Sequence, residues 1–554
     1  MSTQAEDEPR EPTVLGSSAV MAAGTVVSRL SGFVRTSLLA AALGVGLHAD
    51  IFNIANTVPN MLYILLAGGV FNAVLVPQLV KAIKNDPDGG EAYTNRVITL
   101  AVLFLGLVTA LLVIAAPLVM RVLVEPKYFT AGYAAERESM IDFARYCLPQ
   151  VFFYGMFVLV GQVLNARRSF GPMMWAPIAN NAISVLVLVA YLITVGTATP
   201  AEQTGPFSSG AELLLGLGST AGIAAQFLIL VPYLKRSGFR YRPRFDFRHS
   251  GLGQTFRLAL WTVLFVIVNQ IAYTVVVRLA SGGTAASADG TGYTVYSNAF
   301  LLVMVPHSII TVSLATAVLP RLSGFAHARD LRGLSDTVIA TMRSTYALVL
   351  PVLVLVPIVA PDLVDLIWRY GSAEDSASDL VPSVSLFVLG VFFFTTHYLV
   401  LRGFYALEQN RRVFFIQCVI AVTNIVAAVA LTRGIDPAQT APRLVVAYAI
   451  AYAVGATLSY RQLSVAVHGL GGRELVRFAI RIGIVVGLGA GIAWLTRLGL
   501  EEVLSSTGKP AVLLRLAVVG TAGLGSYLVL ARLFRLSEVT EVVRMLTSRV
   551  TRRE

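Results

Sequence analysis

Long apolar runs separated by short polar or basic clusters fill almost the whole chain. They fall at about 17–45, 51–82, 95–124, 142–165, 171–197, 210–235, 252–281, 292–322, 336–362, 380–406, 412–433, 441–464, 474–498 and 511–534. Each is long enough to cross a ~30 Å hydrocarbon core as a helix rising 1.5 Å per residue. The pattern predicts an all-α polytopic membrane protein with about fourteen transmembrane helices, short connections and no soluble domain. Kinks are expected where the longer runs meet Gly68-Gly69, Pro306 and Pro351.

The polar clusters set the orientation. The link between spans six and seven carries Lys235, Arg236, Arg240, Arg242, Arg244, Arg248 and Arg257 against Asp246 alone. Other links after even-numbered spans are also basic, as in Lys81 and Lys84, Arg167 and Arg168, and Arg411 and Arg412. Links after odd-numbered spans are mixed or acidic, as in Asp362, Asp365, Glu374, Asp375 and Asp379. The positive-inside rule then puts both termini in the cytoplasm, as an even span count requires.

Composition agrees. Of 554 residues, 56% are hydrophobic and only 13% charged, about half the charged share of a soluble domain; mean hydropathy is +0.72. The net charge of +12 is read as loops facing anionic lipid rather than as a nucleic-acid surface. Cys147 and Cys418 sit in or beside apolar runs far apart, which predicts buried thiols and no disulfide framework. The opening "MSTQAEDEPREP" is acidic and lacks the basic start of a cleavable signal, so residues 1–13 are expected to form a disordered cytoplasmic tail.

A weak repeat organises the rest. "AVLVPQL" (Ala73–Leu79) recurs as "AVLPRL" (Ala317–Leu322), and "NARRSF" (Asn165–Phe170) is echoed by "NRRVF" (Asn410–Phe414). Pro77 to Pro320 is 243 residues and Arg168 to Arg412 is 244, nearly one offset. Two parallel six-helix halves follow: an N-terminal lobe at 14–236 and a C-terminal lobe at 237–470, joined through the basic link 235–257. Two extra spans occupy 471–535, and a second cytoplasmic tail occupies 536–554.

Inside the first span lies "SRLSGFVR" (Ser28–Arg35). Counted from Ser17, Arg29 and Arg35 sit about 18 and 27 Å along a helix, and each buried charge costs at least ~2.5–3.5 kcal/mol. A rotation of about 240° separates them, so they need not stack, yet both are expected to reach one water-filled cavity. Gly32 between them invites a hinge. The pair is expected to line an anion pathway; the competing reading is a structural role at helix-end carbonyls or snorkelling to the surface.

"SRLSGFVR", followed by "ADIFNIANTVPN" (Ala49–Asn60) and "GGVFNAVLVPQL" (Gly68–Leu79), resembles the opening of the MurJ/MviN family. That family lies within the multidrug/oligosaccharidyl-lipid/polysaccharide exporter superfamily. The resemblance continues through "LNARRSFGPMMWAPIANN" (Leu164–Asn181), "AVLPRLS" (Ala317–Ser323) and "RGFYALEQNRRV" (Arg402–Val413). It implies a flippase for lipid II, the undecaprenyl-pyrophosphate-linked disaccharide peptide, in the bacterial cytoplasmic membrane. It also implies two lobes around a cationic cavity, with the last two helices forming a lipid-facing groove. Arg29 and Arg35 would then hold the pyrophosphate during alternating access, and Asp50 would orient an arginine or cap the second span.

Departures from the family pattern matter. Tyr63 and Ile64 stand where many members have an arginine pair, Gly68 replaces a glutamate, and "YSNAFLLVMVP" (Tyr296–Pro306) carries no charge. Arg29 and Arg35 are therefore expected to be the main buried cations, with Asn60, Gln270, Asn298 and His307 either compensating or merely bonding between helices. Arg257, Arg343 and Arg402 are read as positive-inside anchors. No cofactor is expected, no metal-ligand spacing occurs, and no Walker-type loop or nucleophile–base pair supports an enzyme. Coupling to an ion gradient or to membrane potential is expected instead.

Two other readings stay open at this level. One is a relative that moves a different polyprenyl-pyrophosphate glycan or cationic drugs, although drug export would be expected to bury carboxylates that spans one, seven, eight, eleven and twelve lack mid-helix. The other is a non-transporting scaffold that recruits cell-wall synthesis proteins, in which buried arginines have no purpose. Membrane lipids are expected partners; nucleic acid is not.

Overall fold

A computed structural model describes residues 14–65, 79, 82, 83, 85–167, 169, 171–246, 252–504 and 508–539. Among these no strand occurs, and the helices follow the apolar runs. In order they are α1 (Val14–Leu43), α2 (Leu47–Ile64), α3 (Glu91–Ile114), α4 (Ala116–Leu123), α5 (Ala134–Cys147) and α6 (Gln150–Ala166). Then come α7 (Gly171–Thr194), α8 (Ser209–Leu228), α9 (Leu230–Arg236), α10 (Leu252–Ala286), α11 (Tyr293–Pro306) and α12 (Val312–His327). Last are α13 (Leu331–Trp368), α14 (Leu380–Ala406), α15 (Asn410–Leu431), α16 (Thr440–Ala466), α17 (Gly472–Val503) and α18 (Lys509–Leu533).

Twelve helical segments among the described residues are long and apolar enough to cross a membrane, and they match predicted spans three to fourteen in order. The first two spans correspond to α1 and α2; Gly68-Gly69 and Pro77 lie outside the described residues. At Pro306 the expected irregularity is a π-helical turn, His307–Thr311, which reconciles α11 with α12. Pro351 causes no break: α13 stays helical through Pro351, Pro357 and Pro361. Its start is fixed by Asp330, whose carboxylate accepts from the Gly333 N–H at 2.8 Å. The second repeat match falls at equivalent connections, after α6 and after α14, though Asn410 opens α15 instead of closing the span before it.

Packing sorts the helices. α1 packs on α7, α7 on α8, α2 on α5 and α3 on α6. Separately, α14 packs on α16, α15 on α16, α10 on α15 and α13 on α14. α17 and α18 pair with each other and lean on α13. Outward positions such as Leu107, Ile114, Ile193, Trp494 and Leu528 are exposed and apolar, a surface suited to lipid rather than water. Both cysteines are free.

The pairing of α17 and α18 with α13 carries charge. The Asp362 carboxylate, 3% exposed, accepts from Arg515 Nε at 2.9 Å and lies 3.9 Å from Arg497 Nη1. Arg497 also donates to Glu501 at 2.8 Å and to the Ile358 carbonyl. Lys509 Nζ donates to the Arg369 carbonyl at 2.9 Å and lies 3.9 Å from the Tyr370 ring centroid.

Hydrogen bonds tie the two main helix groups after α4 and at the end of α1. The Glu125 N–H donates to Ser281 Oγ at 2.9 Å, Lys127 Nζ to the Ala285 carbonyl at 2.7 Å, and Ser372 Oγ to the Ala42 carbonyl at 3.0 Å.

Candidate functional site

Two adjoining chambers lie between the groups. One, of about 350 Å³, is lined by Ser28, Arg29, Gly32, Arg35, Asn181 and Asn298, among others. The other, of about 220 Å³, is lined by Arg35, Asn53, Asn56, Asn60, Tyr154 and Asn298, among others. Arg35, Thr36, Asn298 and Leu301 belong to both linings, so the chambers meet at these residues.

Arg29 and Arg35 thus reach one cavity, as their spacing on α1 allows. Arg29 is exposed and Arg35 half-buried, about 21 and 12 Å from the Leu43 end of the helix at 1.5 Å per residue. Neither is ion-paired with a carboxylate among the described residues. An uncompensated cation inside a membrane protein is costly, and an anion that enters the cavity removes that cost. α1 is held from behind by Asn181 of α7, whose Nδ2 donates to the Ser28 carbonyl at 3.0 Å and to Ser31 Oγ at 2.9 Å. α1 is helical through Gly32, where a Cβ would meet only Asn181 Nδ2, at 3.8 Å.

Asn60 and Asn298 line the cavity as expected. Gln270 does not appear in either lining: its Nε2 donates to the Met61 carbonyl at 2.9 Å, which uses the amide to tie α10 to α2.

Asp50 requires a correction. It neither orients an arginine nor caps its own helix. Fully buried, it accepts from Thr284 Oγ1 at 2.9 Å and from the N–H groups of Tyr293 and Thr294 at 3.1 and 2.7 Å. The carboxylate therefore caps α11, a helix of the other group, where its charge meets the positive end of the helix dipole. Gly292 makes this approach possible, since a Cβ there would collide with the Asp50 carboxylate. A hydroxyl chain continues the seam: Thr57 bonds Tyr293, and Tyr293 bonds Tyr273 at 2.9 Å. Asn53 Nδ2 donates to Thr294 Oγ1 at 3.0 Å. These bonds roof the smaller chamber.

The other candidates lie elsewhere. His307 is buried with Nδ1 2.8 Å from Thr395 Oγ1. Arg343 pairs with Glu538 and sits over the Phe478 ring. Arg402 lies 4.1 Å from the Tyr398 ring centroid. The Arg257 side chain is outside the described residues. Tyr63 packs on Tyr154 with ring centroids 4.8 Å apart, so this departure from the family pattern forms part of an aromatic wall. Among the described residues no cluster of three His, Cys, Asp or Glu is placed to hold a metal.

Sequence reasoning missed Asn53 and Asn56, although the spacing of Asn53, Asn56 and Asn60 puts all three on one face of α2. It also missed the clamp by Asn181, whose partners lie about 150 residues away.

A family model described as "Lipid II flippase MurJ" matches residues 39–509. A probable lipid II flippase MurJ of Rhizobium meliloti (strain 1021) is 25% identical over 450 residues, covering 80% of this chain and 79% of that protein. Among solved structures, a lipid II flippase MurJ in an inward closed conformation aligns over 94% of this chain and 99% of the other, with TM-score 0.71 at 14% identity. An inward-facing multidrug resistance MATE family transporter of the MOP superfamily aligns over 81% of this chain and 98% of its own, with TM-score 0.60 at 15% identity.

Proposed function

The chain belongs to the lipid II flippase MurJ family, and from that premise we propose that it carries lipid II from the cytoplasmic to the outer leaflet of the bacterial membrane by alternating access. In this reading Arg29 and Arg35 bind the pyrophosphate. The observation that carries it is the cavity between the two helix groups, lined by two guanidiniums with no carboxylate partner among the described residues.

The chemistry fits the cargo. A pyrophosphate leaving water loses hydration that only paired cations replace, and the guanidinium fork matches phosphate oxygens two at a time. The two groups act as lobes. With both termini cytoplasmic, as the basic links predict, the Asp50 seam closes the outer end and the Arg29 chamber faces inward. Outward opening breaks the bonds from Thr284, Tyr293 and Thr294 to Asp50, while Gly32 lets α1 bend around the bound headgroup. Membrane potential favours outward movement of a negative headgroup by ~2.3 kcal/mol per charge per 100 mV, so potential coupling needs no buried carboxylate.

Complementation tests the reading. The wild-type chain, expressed in a bacterium depleted of its own flippase, is expected to restore growth and to expose lipid II on the outer face. Membrane expression without rescue contradicts it.

A further inference from the structure

We infer that the 220 Å³ chamber is a carbohydrate subsite in which Asn56, Asn60 and Asn298 recognise the sugar next to the diphosphate, an inference that rests on the flippase reading above. The two chambers differ in chemistry. The larger has both guanidiniums. The smaller has Arg35 at its junction, and its remaining polar lining is neutral: four asparagine amides and the hydroxyls of Thr, Ser and Tyr. Arginine only donates hydrogen bonds, whereas an amide donates and accepts. Sugar hydroxyls and acetamido groups need both.

Amide capacity in the chamber is left over. Asn53 is used by Thr294. Asn56 spends its Oδ1 on Gln150 Nε2 at 2.9 Å, and its NH₂ makes no hydrogen bond among the described residues. Asn60 and Asn298 make no side-chain hydrogen bond to any described residue, although Asn298 is only 9% exposed. These amides face the open space of the chamber with bonding capacity to spare, and Asn298 sits where both chambers meet. A ligand that spans the junction, with charge on one side and neutral polar groups on the other, satisfies it.

The walls suit a sugar as well. Phe52, Tyr154 and Tyr293 give the chamber aromatic surface against which the C–H face of a pyranose packs. No carboxylate, lysine or histidine lines it, so an ionised peptide finds no counter-charges there beyond Arg35.

The test compares three probes on the full chain in nanodiscs: a polyprenyl diphosphate, the same lipid bearing one N-acetylated sugar, and the disaccharide form. Wild type is expected to bind the sugar-bearing lipids ~10-fold more tightly than the bare diphosphate. Asn60→Leu/Asn298→Leu is expected to erase that preference, weakening the sugar-bearing lipids far more than the bare diphosphate. Arg35→Ala is expected to weaken all three. Asn60→Ser/Asn298→Ser, which keeps small polar groups, is expected to lose only part of the preference; an unchanged preference in it overturns the inference. Equal wild-type binding of the three probes, or equal loss across them in the Leu variant, contradicts the subsite alone. Failure of wild type to bind any probe contradicts the flippase reading and the subsite with it.

Discussion

The helical arginines Arg497 and Arg515 differ in one respect from Arg29 and Arg35. Arg497 and Arg515 share the buried Asp362 carboxylate, and Arg497 has Glu501 besides. Arg29 and Arg35 share a cavity and have no carboxylate among the described residues. The first arrangement is internally neutralised, which fastens α17 and α18 to α13. The second has no counter-charge of its own among the described residues. Charge inside a membrane protein is costly in both places; who supplies the counter-charge separates structure from function.

That contrast breaks if the roles exchange on mutation. The largest stability change is expected for Asp362→Asn, which leaves two guanidiniums facing a neutral amide. Removing one partner of a buried ionic cluster costs about 3–5 kcal/mol, seen as a large drop in Tm of the purified protein. A Tm unchanged by Asp362→Asn means that the cluster does not hold the helices.

Asp50→Ala is next. It strips an acceptor from three donors at the seam, about 1–3 kcal/mol for buried groups left unpaired. Because the seam is proposed to close the outer end, labelling of a cysteine at Thr284 by an impermeant maleimide should rise relative to the same cysteine beside wild-type Asp50. Unchanged labelling removes Asp50 from gating.

Gly32→Ala sharpens the α1 side. Space is available for the methyl group, and alanine stabilises a helix interior by about 0.5–1 kcal/mol relative to glycine. A hinge predicts a slightly higher Tm with slower translocation; equal translocation means that Gly32 only shapes the cavity wall. Smallest of all is Arg96→Gln. The hydrogen bond from Arg96 holds the exposed Asp246 carboxyl below its ordinary value of 3.8, so any contribution is present at neutral pH and lost as pH falls through the lowered value. Tm at pH 7 should not change, as for most surface pairs.

How legible this was depends on how far apart the interacting residues lie. The spans were readable because a bilayer demands about 20 apolar residues per crossing, and Arg29 and Arg35 were readable because they violate that demand. Asp50 stands out in the sequence as a charge beside a span, but its partners do not. Its true partners lie 234 to 244 residues away, and no local pattern announces that a first-turn aspartate caps a different helix. For Gln270 the sequence leaves two readings open, since an amide in a span looks alike whether it lines a cavity or bonds a backbone carbonyl; the structure shows the second. The row of Asn53, Asn56 and Asn60 was visible as a spacing, but only the fold shows that this face of α2 is not lipid-facing.

The central claim is that unpaired cations on α1 hold the travelling headgroup. Its most direct test measures lipid II at the outer surface of cells that depend on this protein, with Tm recorded for the same variants. Arg29→Ala/Arg35→Ala is predicted to abolish outward lipid II while Tm stays at or above the wild-type value. Normal outward lipid II in that double variant contradicts the account.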